Sequence, residues 1–500
     1  MLEQTIKNRI KNDKLVDKVV KVTEAISWIE DGMTLGLSGF TRAGEPKSIP
    51  LALIERSKTE KFKVNVFTGA SLGWDIDGKM AEAGIINKRL PFQNDRTMRK
   101  ATNDGELLFI DTHLSLIGEQ LRSGALPPID IAIIEAAGIT EEGYIIPTSS
   151  VGNNNVFLES AKEVIIELNT VAPLSLEGVH DIYTPAAQGK RGPIPIEQAS
   201  DRIGSPYLKV DFDKIKGIVI SDIPDSASDI APPDEETQQM ANYLIEFFKK
   251  EVKEGRLTNQ LMPLQAGIGT VANAVLHGFI ESDFEDLQVY SEVLQDAVFD
   301  LIDAGKVTFA SCCSITLSEE KMKSVFGNFE KYADKVAIRP QEISNAPEVI
   351  RRLGLICINT ALEADIYGNV NSTHVLGRNM MNGIGGSGDF ARAGRLAIFV
   401  TKSTAKDGAI SSIVPFVSHV DHTEHDVDIL VTEQGIADLR GLAPRERAKA
   451  VIDNCVHPEY KPMLQEYYNE AVKKGGQTPI LLDKAFEMHR RFEETGSMKK

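Results

Sequence analysis

Residues 287–296 read LQVYSEVLQD and set the pattern that decides the fold. The apolar lead-in at 287–290 predicts a short buried strand, and the helical spacing of apolar residues over 293–306 predicts a helix directly after it. Glu292 falls where the strand passes into the helix, a place where a side chain can point into a cleft. We therefore interpret Glu292 as a candidate nucleophile, with a helix-capping carboxylate as the structural alternative.

The same alternation of strand and helix extends in both directions along the chain. Buried strands that alternate with helices are typical of an α/β protein with a largely parallel sheet. Ligands of such sheets lie outside the carboxyl ends of the strands, so the small and polar residues at 148–153 are a candidate wall of a site. Further strands are predicted at residues 34–40, 62–67, 129–134, 164–168, 215–220, 307–315, 395–399 and 429–431.

A segment rich in proline, serine and aspartate, residues 221–233, interrupts this alternation, and a new helix is predicted from about residue 235. A single core rarely grows beyond about 250–300 residues, and the chain has 500. We therefore predict two tandem domains, 1–228 and 229–500, each with a mainly parallel sheet and flanking helices. We expect the active site between them, and Glu292 in the second.

Composition narrows the class of protein. The net charge of −17, with no run of basic residues, argues against nucleic acid as a partner. The four cysteines show no CxxC spacing and cannot form a disulfide framework. The amino terminus lacks an apolar signal core, and no apolar stretch reaches the roughly 20 residues of a membrane span. We expect a cytoplasmic protein with no membrane partner.

A first glycine motif, Gly267-Ile268-Gly269 followed by Ala272, has the GxGxxA spacing of dinucleotide-binding proteins. That fingerprint requires a clear preceding strand, and Pro263 makes residues 261–265 a poor central strand. It also requires an acidic residue about 20 positions on; Glu285 and Asp286 lie at roughly that distance, but inside a polar loop. Two functions of this motif remain open. One is nicotinamide binding, and the other is an anion site in which main-chain N–H groups at a helix start approach a reacting oxygen.

A second glycine motif occupies residues 382–390, NGIGGSGDF. Several glycines in so short a segment indicate a close approach to the backbone or repeated positive φ. The Lys-Ser or Lys-Thr of a P-loop is missing, so an ATP-type phosphate loop is not indicated. A flexible turn is the plain alternative, and a wall of an anion hole fits the pattern better.

Histidines and carboxylates crowd residues 418–426, SHVDHTEHD. Their spacing fits neither HExxH nor a strand with all ligands on one face, so we expect no catalytic metal. A hydrogen-bonded loop that positions the next segment is the preferred interpretation. In that segment Glu433 is predicted to lie where a strand passes into a helix, and taken alone it would be a capping acid.

These motifs, taken in order, resemble class I coenzyme A transferases of the acetyl-CoA hydrolase/transferase group. The resemblance covers nearly the whole chain, because residues 138–141 (GITE), 147–153 (PTSSVGN) and 201–207 (DRIGSPY) also agree with the group. Several motifs in one order are far more specific than any single motif. One departure is Ser226, which follows Asp225 where the group's pattern carries arginine, and it puts succinate as an acceptor in doubt.

The resemblance implies roles for individual residues. Glu292 would be the catalytic nucleophile, and the main-chain N–H groups of Ile268 and Gly386 would form its oxyanion hole. Glu433 would support the nucleophile. Substrate-binding positions implied in the same way are Asn345 beside the substrate carboxylate, Lys406 for coenzyme A, and Gly267, Gly269, Gly385 and Gly388 in the two glycine motifs.

The implied reaction moves coenzyme A from an acyl-CoA to a small carboxylic acid, acetate or similar, through a covalent glutamyl-CoA thioester. A carboxylate with a pKa near 4.3 is ionised at pH 7 and needs no general base. No ATP, metal or other cofactor is expected, since acyl-CoA and carboxylate are the substrates, and a homodimer is implied. Hydrolysis through the same glutamate is the near alternative; an NAD-dependent dehydrogenase and a non-catalytic protein are more distant ones.

Overall fold

The computed structural model describes residues 2–73, 75–228 and 233–500 of the chain. Within them the predicted α/β class is confirmed: helices alternate with sheets that are mainly parallel. The chain forms two compact units, and both are discontinuous in sequence. Unit 1 comprises residues 1–229, 289–302 and 308–353, and unit 2 comprises residues 230–288, 303–307 and 354–500.

Unit 1 is built on a seven-stranded sheet in which every neighbouring pair is parallel. Its strand Ile131–Ala136 is buried along its whole length, which explains the largely apolar run that predicted it. In spatial order the strands are Leu108–Phe109, Ile86–Leu90, Val64–Phe67, Thr34–Leu37, Ile131–Ala136, Glu163–Asn169 and Ile215–Ser221.

Helices cover this sheet, and their apolar faces form one core with it, in which Leu35, Val64 and Ile133 are buried. The helices are Leu2–Arg9, Asp13–Val16, Val22–Ser27, Ser48–Ser57, Asp77–Glu82, Arg96–Asn103, Ile117–Arg122 and Asn154–Ser160. A small antiparallel pair, Gly138–Ile139 with Ile145–Ile146, follows strand Ile131–Ala136 in the chain.

The later segments of unit 1 carry Glu292. Strand Leu287–Tyr290 enters the unit at Val289, and strand Val307–Cys312 pairs in parallel with Val336–Ile338. The helices of this part are Asp296–Asp303, Glu319–Phe326, Gln341–Ser344 and Pro347–Leu353.

The predicted helix over 293–306 is wrong at its start. Val293–Leu294 instead forms a short parallel pair with Ser314–Ile315, and the helix begins at Asp296. β-Branched Val293 suits a strand, and the partner segment lies too far along the chain for local periodicity to reveal it. Glu292 is therefore followed by a strand, and the helix-capping alternative is excluded.

Unit 2 contains five neighbouring strands of one sheet, which are Leu264–Ala266, Ile356–Thr360, Leu396–Val400, Ile429–Thr432 and Gly435–Asp438 in spatial order. The first four run parallel and the last is antiparallel. The prediction that residues 261–265 make a poor central strand was wrong, since strand Leu264–Ala266 lies inside the sheet. Pro263 precedes that strand, and its carbonyl accepts a hydrogen bond from Ile356 N.

The remaining elements of unit 2 surround that sheet, and its core includes Phe399, Leu430 and Val451. The helices are Glu235–Lys253, Thr270–Gly278, Ser387–Ala393, Pro444–Asn454, Lys461–Lys474 and Glu487–Thr495. Short strands are Glu363–Asp365 with Val370–Asn371 and Ile413–Val414, His374–Val375 with Asn379–Met380, and Thr404–Ala405 with Ile410–Ser411.

The predicted linker at 221–233 includes residues 229–232, which lie outside the described residues, as does the first residue of the predicted second domain. The division at 228/229 stays a prediction. Glu292 itself lies in unit 1, because the chain re-enters that unit at Val289.

Candidate functional site

The main chain at Glu292 is held by a neighbouring strand. Ser291 N donates to Ser311 O at 2.9 Å, and the Glu292 carbonyl accepts from both Cys313 N at 2.7 Å and Ser314 N at 3.1 Å. A carbonyl with two donors has both lone pairs occupied, so the backbone here is fixed. The half-buried side chain of Glu292 extends from a rigid support.

The Asn345 side chain contacts Glu292. Its Nδ2 donates to Glu292 Oε1 at 2.7 Å, and its Oδ1 faces the Cys313 thiol at 4.0 Å. These two contacts assign the amide, with nitrogen towards the carboxylate and oxygen towards sulfur. Asn345 is fully buried at the end of helix Gln341–Ser344, so it presents a fixed donor to the carboxylate.

The helix that carries Asn345 is itself secured on two sides. Tyr290 OH donates to Ile343 O at 2.9 Å, which ties the helix to the strand before Glu292. Gln341 Nε2 donates to Leu114 O at 2.9 Å, which ties it to the first part of the chain. The pair of Glu292 and Asn345 is therefore positioned by elements on both sides.

The loop at 148–153, predicted as a wall of a site, does lie beside the segment that supports Glu292. Val151 N donates to Cys313 O, and Ile315 N donates to Ser149 O, both at 2.9 Å. An apolar cluster fills the adjoining space in unit 1, made of Phe40, Ala70, Leu114, Val293 and Cys313, with Phe92 packed against it. The segment around Glu292 is thus bordered by the hydrogen-bonded main chain of the loop at 148–153 and by a small apolar cluster.

A buried ion cluster in the same unit was missed by the sequence analysis. Lys47 Nζ donates to Glu135 Oε1 at 2.5 Å and to Asp225 Oδ1 at 2.7 Å. Asp225 also accepts from Ser149 Oγ, and Glu135 accepts from Thr148 Oγ1 at 2.8 Å. The cluster links the loop at 148–153 to Asp225. Its carboxylates, Glu135 and Asp225, line a cleft of about 630 Å³ together with Val171, Pro173 and Phe326.

Burial sets the protonation of this cluster. Glu45 is buried beside the cluster, and its main-chain carbonyl accepts from Lys47 Nζ at 2.8 Å. Desolvation raises the pKa of Glu45 to about 8, with Lys47 opposing the shift and Asp225 adding to it. Desolvation likewise raises the pKa of Glu135 to about 7. One ammonium cannot balance two buried carboxylates and the partly buried Asp225, so a carboxyl proton is held at neutral pH. The only sequence signal was the acid at the end of an apolar strand, residue 135.

The first glycine motif lies in unit 2 and forms the turn between strand Leu264–Ala266 and helix Thr270–Gly278. Gly267 N donates to Ile358 O at 2.9 Å, and Gly269 has φ +129°, a conformation that favours glycine. Ile268 lies between them with 41% of its surface exposed. Within the described residues its N–H donates to no main-chain carbonyl.

The second glycine motif ends in the helix Ser387–Ala393. Gly385 has φ +59°, and Gly386 follows it as the residue before the helix. Among the described residues the Gly386 N–H also lacks a main-chain acceptor, whereas Gly388 is buried within the helix. Ile268 and Gly386 are thus among the positions of these motifs that can offer a main-chain donor.

Glu433 does not precede a helix, and that expectation was wrong. It lies in the two-residue turn between the antiparallel strands Ile429–Thr432 and Gly435–Asp438. A Cβ at Gly435 would lie 2.7 Å from Asn454 O, so the turn requires glycine there. The Glu433 carboxylate accepts from Ser403 N at 2.8 Å and from Ser403 Oγ.

Those contacts govern the charge of Glu433. Burial alone would raise its pKa, but hydrogen bonds from Ser403 and Gln434 lower it below the usual value, so the group stays ionised. Ser403 begins the hairpin that carries Lys406 in its turn, where Lys406 has φ +50°. Lys406 Nζ lies 4.9 Å from the centre of the Phe492 ring.

No group of three or more potential ligands that could hold a metal ion is found among the described residues, the histidine-rich loop at 418–426 included. That loop is hydrogen-bonded to the second glycine motif through His422, whose Nε2 lies 3.1 Å from Ser387 Oγ. None of the described helices is long and apolar enough to span a membrane.

The predicted site residues therefore fall into two sets. Unit 1 brings Glu292 and Asn345 together by a direct hydrogen bond. Unit 2 holds the remaining predicted site residues. Two glycine turns, each before a helix, carry the candidate main-chain donors, and Glu433 is hydrogen-bonded to the hairpin that carries Lys406. The members of this second set are Gly267, Ile268, Gly269, Gly385, Gly386, Gly388, Lys406 and Glu433.

Comparison with known proteins adds a family match over both halves of the chain. The acetyl-CoA hydrolase/transferase N-terminal domain matches residues 3–222, and the C-terminal domain of the same family matches residues 322–468.

Individual relatives agree with that match. The chain is 52% identical over 494 residues to succinyl-CoA:acetate CoA-transferase of Clostridium kluyveri, covering 98% of this chain and 92% of that one. It is 44% identical to acetyl-CoA hydrolase of Schizosaccharomyces pombe, covering 99% and 98%. In fold it is similar to RipA from Yersinia pestis, with a TM-score of 0.72 and 20% identity, over 95% and 99% of the two chains.

Proposed function

Because this chain belongs to the acetyl-CoA hydrolase/transferase family, we propose that it transfers coenzyme A from an acyl-CoA to a small carboxylic acid through a covalent thioester on Glu292. The observation that carries the proposal is the Asn345–Glu292 hydrogen bond, 2.7 Å from Nδ2 to Oε1. A neutral amide donor favours the ionised carboxylate and aims it, and an ionised carboxylate is what a nucleophile requires.

The first half-reaction begins with Glu292 attacking the thioester carbonyl of the acyl-CoA. The carbon–sulfur bond breaks, coenzyme A leaves as a thiolate, and an acyl-glutamyl anhydride remains. The thiolate then attacks the glutamyl carbonyl, which releases the first carboxylate and leaves a glutamyl-CoA thioester. No proton is taken up or lost, so no general base is needed.

The second half-reaction runs in reverse with a new acid. A carboxylate oxygen of the acceptor attacks the glutamyl carbonyl and expels the thiolate, which then attacks the acceptor's carbonyl carbon. A new acyl-CoA leaves, and Glu292 is again a free carboxylate. One thioester replaces another, so the proposal includes no ATP, metal or other cofactor.

Negative charge develops on a carbonyl oxygen at each attack. We assign its stabilisation to the N–H groups of Ile268 and Gly386. What supports this is that both lie in glycine turns before helices and neither donates to a main-chain carbonyl within the described residues. Loss of one such donor typically costs about 10²–10³ in rate.

Coenzyme A and the carboxylates are bound by further residues in this proposal. Lys406 would contact coenzyme A, with Glu433 holding its hairpin through Ser403. The residues Gly267, Gly269, Gly385 and Gly388 would shape the surface that the substrates approach. The binding energy of coenzyme A, remote from the reacting carbon, can favour the covalent steps.

The acids are proposed from the relatives. Acetate is the first acceptor to test, since the C. kluyveri and S. pombe proteins are named for acetate or acetyl-CoA. Succinate is the second, and Ser226, which follows Asp225, is the position to examine if succinate fails. Hydrolysis is the competing activity, because the S. pombe relative is named a hydrolase and water can attack the same glutamyl thioester.

The decisive experiment is Glu292→Ala. We expect transfer from acetyl-CoA to propionate to be lost, and a coenzyme A adduct to be found by mass spectrometry on the Glu292 peptide of the unchanged protein only. Glu330→Ala, which removes an exposed glutamate of the same unit, is the matched control. Near wild-type transfer by Glu292→Ala would refute the mechanism. Turnover without acceptor at the rate of transfer would assign hydrolysis.

We also propose a cytoplasmic homodimer. The cysteines support the compartment, because all four are free and buried, as in proteins of reducing surroundings. Sedimentation or light scattering at micromolar concentration would test the oligomeric state, and a mass of one chain would refute the dimer.

A further inference from the structure

The histidine-rich loop at 418–425 packs directly against the second glycine motif in unit 2. His422 Nε2 lies 3.1 Å from Ser387 Oγ, and Ser387 Oγ lies 2.8 Å from Ile384 O. Ile384 and Ser387 bracket the turn that contains Gly385 and Gly386. A chain of hydrogen bonds therefore runs from the histidine into the turn itself.

The direction of this chain follows from the hydrogens available. A serine hydroxyl has one hydrogen, and Ser387 donates it to the Ile384 carbonyl. Ser387 Oγ can then only accept from His422, so His422 Nε2 carries the proton that it donates. The imidazole is thus the donor that fixes the serine, and the serine closes the turn over Gly385 and Gly386.

His422 is itself held firmly. Its main chain pairs with Val370, as Val370 N donates to His422 O at 2.8 Å and His422 N donates back at 3.0 Å. Its ring packs against Phe399, with ring centres 4.6 Å apart, and only 1% of its surface is exposed. A buried donor with a fixed backbone can transmit position to the group that it contacts.

The neighbouring residue secures the other end of the glycine motif. Asp421 accepts from Thr373 Oγ1 at 2.8 and 2.9 Å and from Ser372 N at 2.7 Å. The Thr373 carbonyl accepts from Met381 N at 2.7 Å, directly before the motif. The two adjacent side chains Asp421 and His422 therefore support the glycine motif at two places: Asp421 through Thr373, which is bonded to the residue before the motif, and His422 through Ser387 within it.

We propose that His422 is a positioning residue for the oxyanion hole, acting through Ser387 to hold the Gly386 N–H at the angle that the transition state requires. This rests on the function proposed above. A displacement of about 1 Å at a reacting centre can cost about 100-fold in rate. An oxyanion donor acts on the transition state and not on the bound substrate, so its misplacement lowers kcat and leaves KM nearly unchanged.

The test compares four variants of the full-length protein. His422→Phe removes the donor and keeps an aromatic ring on Phe399, and Ser387→Ala removes the acceptor. His422→Gln restores a donor near the position of Nε2. His425→Phe makes the same substitution at an exposed histidine of the same loop and is the control.

We expect His422→Phe and Ser387→Ala each to lower kcat about 10- to 100-fold, with the KM for acetyl-CoA changed by less than about threefold. Since both substitutions interrupt the same chain of hydrogen bonds, the kcat of the double variant should be about that of the poorer single variant. His422→Gln should recover part of the loss, and His425→Phe should match the unchanged protein. Ser387→Ala keeps the test valid if His422→Phe fails to fold.

Three results would overturn the inference. The first is a kcat within about twofold of the unchanged protein for both single variants, the second a rise in KM as large as the fall in kcat, and the third additive losses in the double variant. The adduct on Glu292 separates the two proposals: if the unchanged protein forms none, the proposed function fails and takes the inference with it. If the adduct forms and the variants are fully active, the inference alone fails.

Discussion

Asn345 and Glu292 lie 53 positions apart in the sequence, and a hydrogen bond of 2.7 Å joins the amide of one to the carboxylate of the other. The other end of the amide faces the buried thiol of Cys313, which fixes its orientation. For the proposed nucleophile Glu292, the Asn345 amide holds the carboxylate in one direction and favours its ionised form.

Replacement of Asn345 by leucine should lower kcat/KM about 10- to 100-fold, since a hydrogen bond to a charged group contributes about 1.5–3 kcal/mol. Asn345→Asp places a second carboxylate beside Glu292 and should raise the pKa of Glu292, so the acidic limb of the pH–rate profile should move to higher pH. Steady-state kinetics between pH 5 and pH 9 measure both effects. Asn87→Asp, at an exposed position of unit 1, should leave the profile unmoved; an unmoved limb in Asn345→Asp would contradict the pairing.

Removal of the ammonium from the buried cluster should destabilise the protein. Lys47→Met leaves Glu135 and Asp225 without their cation, and breaking a buried pair in this way typically costs about 3–5 kcal/mol. Urea unfolding monitored by circular dichroism gives the free energy of unfolding. The exposed pair of Lys58 and Glu55 provides the comparison, since Lys58→Met should cost less than about 1 kcal/mol. Equal losses in the two variants would show that the cluster is not a source of stability.

Glu45 should make stability fall as the pH rises. Its pKa in the folded protein is about 8 because it is buried, whereas in the unfolded chain it is near the ordinary value of 4.5. Between these values the folded state holds a proton that the unfolded state has released, so the free energy of unfolding decreases as pH increases, by up to about 1.4 kcal/mol per unit. Glu45→Gln should flatten that slope between pH 5 and pH 8 in urea titrations. The same slope in both proteins would be inconsistent with a raised pKa.

Glu433 should act mainly on the binding of coenzyme A. Glu433→Ala frees Ser403 and loosens the hairpin Thr404–Ala405 with Ile410–Ser411, which carries Lys406 in its turn. We expect the KM for acetyl-CoA to rise about tenfold and kcat to change less, the pattern of lost uniform binding. Ser403→Ala and Lys406→Ala should act in the same direction. Glu494→Ala, at an exposed glutamate of unit 2, is the control, and a fall in kcat at constant KM in Glu433→Ala would point to chemistry instead.

Much of the sheet architecture could be predicted from the sequence. Strands of a parallel sheet are buried on both faces and therefore apolar along their length, and residues 129–134 and 164–168 gave nearly the observed strands Ile131–Ala136 and Glu163–Asn169. The type of element that follows each strand was less predictable. Both Glu292 and Glu433 were expected before helices, and both precede strands, because pairing with distant segments decides the local structure there.

The site residues, too, were predictable only where the signal is local. Glycine turns and the two glutamates have local sequence signals, so their positions could be named from the chain alone. Of the Lys47, Glu135 and Asp225 cluster only Glu135, at the end of an apolar strand, has a local signal, since its members come from three distant segments and meet only in the fold. The support of the glycine turn by His422 was likewise only anticipated as a hydrogen-bonded loop, without its partner Ser387.

Cys313 lies directly beside Glu292, and it is one of four cysteines that are all buried. Burial raises the pKa of every one of these thiols, and the Glu292 carboxylate adds to the shift at Cys313. Only the thiolate takes part in disulfide exchange, and these thiols are protonated and shielded. The proposed reaction releases the coenzyme A thiolate at every turnover. Because the protein's own thiols are buried and protonated, we expect neither coenzyme A nor its disulfide to form a mixed disulfide with the enzyme and inactivate it.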